Sequence, residues 1–157
     1  METLRNVLSS NDLFNVQTYI QSGNVVFSAK EASVDRLRQK LMQVLKDNFA
    51  YELPFVLMPF DTFCSLTKNI PSSFNELNAN AKIFISFLVE IPDLENIDKL
   101  QELSNENENY EVREGAVYVW CIKDGRKLNF SNNLVEKILK VGATTRNLNT
   151  VERLSTF

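Results

Sequence analysis

The chain has no histidine at all. That excludes every His-dependent nucleophilic triad and any imidazole proton shuttle working near neutral pH. It has two cysteines, Cys64 and Cys121, each set among apolar residues. Two cysteines cannot build a disulfide framework, and without an imidazole they cannot close a zinc site, so no metal is expected. Both read as buried, inert thiols. Glycine and proline are scarce, at four each, which argues against a long linker or a disordered segment. No apolar run reaches the roughly 18 residues of a membrane span. A net positive charge is also lacking. The net charge of −3 leaves no global field that would draw the chain to phosphate backbones or anionic lipid, so nucleic acid and membrane are disfavoured as partners. The first residues, Met1-Glu-Thr-Leu-Arg-Asn-Val7, do not have the charged-then-apolar layout of a signal peptide, and the expected compartment is the cytoplasm. No P-loop, no Gly-rich dinucleotide fingerprint and no serine elbow is present, and no motif calls for a cofactor.

What is present is 157 residues, 44% of them hydrophobic, enough for one domain or two small subdomains with real cores. Leu4, Val7 and Leu8 share one face of a first helix that ends at Ser9–Asp12. Leu13–Val16 leads into a strand over Gln17–Ile20. Ser22-Gly23-Asn24 then reads as a tight turn into a second strand, Val25–Ser28, because glycine and asparagine tolerate positive φ. Ser33 caps a helix whose inner stripe is Leu37, Leu41, Val44 and Leu45. Pro54–Met58 reads as a short strand. Asp61 caps a short helix carrying Phe63, Cys64 and Leu66, broken at Ile70–Ser73.

The second half opens with a strand over Lys82–Glu90 that is apolar on both faces apart from Ser86, so both faces should be covered. A helix follows Pro92-Asp93, with Leu94, Ile97, Leu100 and Leu103 inward. Tyr110–Arg113 and Ala116–Ile122 form a hairpin around Glu114-Gly115. Asp124-Gly125 makes a further turn, and Lys127–Phe130 is expected to extend the sheet. Ser131 caps a helix with Leu134, Val135, Ile138 and Leu139 inside and Gly142 as its stop. Thr144–Thr150 leads into a last short helix. The predicted fold class is α+β, built from two ferredoxin-like subdomains derived from the β-α-β-β-α-β unit. The first lacks its opening strand and the second its closing strand. The expected division is a first subdomain over 1–72, a connection over 73–81 and a second subdomain over 82–157.

Two segments carry a resemblance. Tyr19-Ile-Gln-Ser-Gly-Asn-Val-Val-Phe-Ser28 and Gly142-Ala-Thr-Thr-Arg-Asn-Leu-Asn-Thr-Val151, at this separation, resemble the two hallmark motifs of the family called domain of unknown function 1697. The resemblance implies a mostly bacterial α+β protein with ferredoxin-like subdomains and no established activity. Members usually begin with a hydrophobic strand running into an Arg-Gly-Ile-Asn-x-Gly-Gly loop, and nothing like it stands here. It would be the first subdomain's missing strand. The expectation is a chain shortened at this point, or a gap filled by a dimer partner or by strand exchange, with any function of that loop absent.

Four constellations invite a function. Thr144, Thr145, Arg146 and Asn147 combine hydroxyls, a guanidinium and N–H groups at a helix start, the makings of an anion site. Lys123, Arg126 and Lys127 would add charge. The competing reading is a helix cap made by Thr145, with Arg146 paired to a carboxylate or backbone carbonyls. Ser22, Gly23 and Asn24 are a second ligand candidate, against plain turn chemistry. Tyr118 and Trp120 share a strand face and would stack bases if exposed, against core packing. Glu106, Glu108 and Glu111 lack the spacing of a calcium loop and read as a solvated turn.

Three functions follow. The first is a non-enzymatic module binding a small anionic ligand or a protein partner near Arg146 and the cleft between subdomains. The second is an enzyme on a phosphorylated or carboxylate small molecule, with Arg146 and Lys123 or Lys127 as charge stabilisers and no evident general base. The third is a weak RNA binder through the sheet aromatics.

Overall fold

The computed structural model describes residues 1–20, 23–31, 33–49, 54–76, 80–122 and 128–157. It divides into two compact units, Met1–Pro59 with Thr156–Phe157, and Phe60–Ser155.

In the first unit the 3.6-residue periodicities fold as read. Helix α1 (Glu2–Ser9) buries Leu8, and α2 (Val34–Asn48) buries Leu41, Val44 and Leu45. Ser33 caps α2, its Oγ accepting from the Arg36 N–H at 3.4 Å. The hairpin begins earlier than expected. Strand β1 runs Leu13–Tyr19 and pairs antiparallel with β2, Asn24–Ala29. Between Phe14 and Gln17 β1 spends three steps against two in β2, a β-bulge, and Asn15 there has φ 53°. Among the described residues these two strands are the whole sheet. Val25, Phe27 and Ala29 of β2 pack on a core of Leu8, Leu13 and Leu41.

Pro54–Met58 corrects the reading. Its residues are in no strand, although Phe55 and Leu57 pack on that same core. An apolar run becomes a strand only where a neighbour completes its ladder, and none of the described residues does so.

The second unit starts with α3 (Phe60–Lys68) and a 3₁₀ turn over Ser72–Glu76. Asp61 lies inside the first turn of α3 rather than before it. Then come β3 (Ala81–Leu88), α4 (Leu94–Gln101), β4 (Glu108–Arg113), β5 (Ala116–Ile122), α5 (Asn132–Leu139), β6 (Ala143–Asn147) and α6 (Leu148–Leu154). The sheet order is β4-β5-β3-β6, antiparallel throughout. The β4–β5 turn has φ 46° at Glu114 and φ 84° at Gly115, the two positive values of a type I′ hairpin.

A strand therefore follows α5 where none was expected. Residues 143–147 pair with β3 instead of forming a loop. Their sequence is polar, but β3 is central and its second edge demands a partner. One face of the sheet carries Leu88, Tyr110, Val117, Val119 and Cys121, packed with Leu100 of α4 and Val135 and Leu139 of α5. The other carries Ile85, Phe87 and Tyr118, with the Phe63 ring of α3 at 5.2 Å from Phe87.

Further corrections concern helix phase and ends. Leu94 and Leu103 are exposed, while Asn96 is buried beside Leu100. At about 100° per residue Leu94 lies some 120° round from Leu100, off the buried stripe. Helix α5 stops at Lys140, which takes φ 58° and donates its N–H to Glu136 O, so Gly142 is not the stop. Gly142 is needed for a close approach. A Cβ there would sit 3.0 Å from Val89 Cγ2, and its carbonyl accepts the Val89 N–H at 2.8 Å. Residues 128–130 form no strand, and the expected turn at Asp124-Gly125 lies outside the described residues.

Candidate functional site

Strand geometry decides what Thr144–Asn147 can do together. Successive side chains on a strand point to opposite faces. Thr145 pairs with Ser86 and Asn147 with Phe84, on the face that α4 and α5 cover, while Thr144 pairs with Phe87 and Arg146 with Ile85, on the other. The four residues read as one anion cradle are divided between two sides of a sheet.

On the helix-covered side the hydroxyls are consumed. Thr145 Oγ1 donates to Asn132 Oδ1 at 2.9 Å and lies 2.7 Å from Ser86 Oγ. With its one proton on Asn132, Thr145 accepts from Ser86. Ser86 is fully buried, and this chain satisfies a hydroxyl that would otherwise be costly inside an apolar strand. Asn147, not Thr145, caps α6, its Oδ1 accepting from the Thr150 N–H at 2.9 Å.

On the other side Arg146 and Thr144 do meet. Arg146 Nη1 donates to Thr144 Oγ1 and to Thr145 O, both at 2.8 Å. The guanidinium is half-buried, and loss of water lowers its pKa from the usual arginine range. Its orientation is set by backbone and hydroxyl rather than by chance rotamers. Lys123, Arg126 and Lys127, expected to add charge here, lie outside the described residues.

The second candidate lies in the other compact unit. Gly23 has φ 82° and Asn24 sits in β2, opposite Tyr19. The Asn24 side chain is buried, and its Nδ2 donates to Tyr19 O at 3.1 Å, closing the hairpin. Ser22 lies outside the described residues.

The stacking surface for nucleic acid does not form. Tyr118 has no exposed surface, its hydroxyl donates to Leu66 O at 2.6 Å, and burial pushes its pKa up to about 12. Only Trp120 of the pair is partly exposed.

Glu108 was hidden from the sequence reading. It is 2% exposed, in β4 rather than in a solvated turn. Its carboxylate accepts from the Asn129 and Phe130 N–H groups at 3.1 and 3.2 Å and from Asn129 Nδ2 at 3.0 Å. Those bonds occupy the N–H groups of 129 and 130, the stretch expected to add a strand. Tyr110 and Cys121 lie on the same sheet face. Burial, then the Glu108 charge, pushes the Cys121 thiol up to about 12 and raises the Tyr110 phenol as well. The signal available in the sequence was the pairing of Glu108 with strand residues two apart, Tyr110 and Val112, both of core type.

Among the described residues no three carboxylate or thiol groups converge on a metal-sized site. No helix among them is long and apolar enough to cross a membrane.

Comparison with known proteins bears on the fold and family. The profile of the family described as "Protein of unknown function (DUF1697)" matches residues 1–118. No curated protein matches. Among solved structures, the conserved bacterial protein SP0830 from Streptococcus pneumoniae is similar with a TM-score of 0.74 and 23% identity. The match covers 99% of this chain and 87% of that one.

Proposed function

This chain belongs to the DUF1697 family, and we propose that it acts as a non-enzymatic α+β module that binds a small anion at Arg146, with Thr144 beside it. The observation that carries this is the setting of the guanidinium. Two bonds from Nη1 fix its plane, and partial burial has removed water that stabilised its charge. A carboxylate or phosphate can add a charge-assisted hydrogen bond to a guanidinium held in this way. The non-enzymatic part is supported by the titrating groups. The shifted tyrosines and Cys121 are held neutral by burial, and Asp12 and Glu95 are surface carboxylates lowered by Lys40 and Lys99. None is poised near pH 7 as a general base must be.

The same proposal includes a finer reading of the fold. The second unit's order β3-α4-β4-β5-α5-β6, with both helices on one face, supports a complete ferredoxin-like unit. The first unit's α1-β1-β2-α2, with Phe55 and Leu57 on its core, supports the same unit without its opening strand.

The test is a thermal-shift screen with phosphate, nucleotides, sugar phosphates and carboxylates on the wild-type chain, Arg146→Lys and Arg146→Ala. An anion present at about 100 times its Kd stabilises by roughly 2.7 kcal/mol. We expect a shift in the wild type, a smaller one in Arg146→Lys and none in Arg146→Ala, each measured against that variant's own melting point. An equal shift in Arg146→Ala, or no shift with any anion, overturns the reading.

A further inference from the structure

The start of α4 leaves apolar side chains in water. Ile91 is 84% exposed and Leu94 79%, more than any other large hydrophobic among the described residues. They stand three residues apart, on either side of the buried Pro92 and the exposed Asp93. A single exposed apolar side chain is ordinary on a protein surface. Neighbouring ones rimmed by charge mark a contact surface. The chain's negative charge is concentrated at this place. Residues 90–102 hold five carboxylates and one ammonium, a balance of −4 where the whole chain carries −3. All five carboxylates belong to exposed residues. Lys99 pairs with Glu95, and Lys140 lies close enough to act on it. Glu90, Asp93, Asp98 and Glu102 make no ion pair among the described residues. Asp93 is the N-cap residue of α4 by position, yet its side chain accepts no cap bond. Leu94, Asp98 and Glu102 follow at four-residue steps, so an apolar side chain and two carboxylates run along one side of α4, away from the buried Leu100.

We propose that Ile91, Leu94 and the acidic side of α4 form a docking surface for a basic, apolar segment of another protein, one carrying large aliphatic side chains flanked by lysine or arginine. Ile91 and Leu94 supply apolar area that such a partner removes from water. The carboxylates select the sign of its charge. The same charge repels nucleic acid and anionic lipid. It also opposes a second copy of this chain, because joining two copies through this surface about a two-fold axis sets each acidic segment against its own equivalent. The surface shares no residue with the anion site at Arg146.

Titration of the full chain with a synthetic amphipathic lysine–leucine helix, followed through backbone amide NMR shifts, tests this. The expected result is a set of saturable shifts concentrated in residues 90–102, weakening as salt is added. Ile91→Ser and Leu94→Ser change side chains that lie mostly in water. Each should leave the circular dichroism unchanged and weaken binding about tenfold. Asp98→Asn should weaken it less and flatten the salt dependence. A glutamate–leucine helix of the same pattern should not bind. No shift, shifts centred elsewhere, or undiminished binding by both serine variants overturns the proposal, the last because it leaves only unspecific attraction between charges. Equal binding of the glutamate–leucine helix overturns the choice of a basic partner. Should either serine variant fold poorly, the location of the shifts in the wild type decides.

Discussion

The two units use the same means to different ends. In the second, β3 has a neighbour on each side, both faces of the sheet are covered, and Ile85, Tyr118, Val117, Val119 and Leu100 have no measurable exposure. In the first, two strands pack on two helices, and the most buried side chains, Leu13 and Leu8, keep 3% and 4%. Most of β2 is half-exposed. Both hairpins are rich in residues that favour strands. The difference is the number of ladder partners, since a strand hydrogen-bonded on one edge cannot be covered as a central one is. A second contrast follows in the polar groups. The second unit buries Ser86, bonded to Thr145, and Glu108, which accepts three bonds. Among the described residues, the first buries one polar side chain, Asn24.

The largest expected break in this comparison is at the second unit's core. Leu100→Ala removes a fully buried side chain, and such truncations cost about 2–5 kcal/mol. Leu41→Ala in the first unit should sit at the low end of that range, because its less covered surroundings can relax. Urea unfolding of the two variants measures the gap. Glu108→Ala comes next. It strands the Asn129 and Phe130 N–H groups and should cost about 3 kcal/mol, with Glu108→Gln recovering part of it.

Alkaline pH should sharpen the contrast more gently. The Cys121 thiol and Tyr118 phenol are raised in the folded state, so the unfolded chain releases those protons first. The stability they contribute is present below the thiol's ordinary 9.0 and is lost as pH climbs from there towards about 12. Melting points across that window should fall, with Cys121→Val falling less steeply. Asn147→Ala, which removes the cap of α6, is the smallest at about 1 kcal/mol.

What the sequence could express was local. The cap at Ser131, the turn at Glu114-Gly115 and the inner stripes of α2 and α5 are written in a few adjacent residues, and they stand where expected. Ser86 marked itself as the one polar residue within Ile83–Val89, though its partner, Thr145, is far along the chain. Strand β6 was hidden because Thr144–Asn147 has no apolar alternation. It is a strand because β3 needs a second neighbour. Pro54–Met58 failed in the opposite sense, having the composition of a strand and no ladder. For the same reason the anion candidate was half legible. Residue types located Arg146 and Thr144, but only the pairing with Ile85 and Phe87 shows that Thr145 and Asn147 face the other way.

The most direct test of the inequality between the units is native-state amide exchange, read strand by strand at low protein concentration. Exchange from β3 and β5 should require opening of the whole second unit, while Val25–Ser28 of β2 should exchange through local opening at a much lower free energy. Equal protection of β2 and β5 under those conditions would contradict the account, because it would mean that the first sheet is as fully supported as the second.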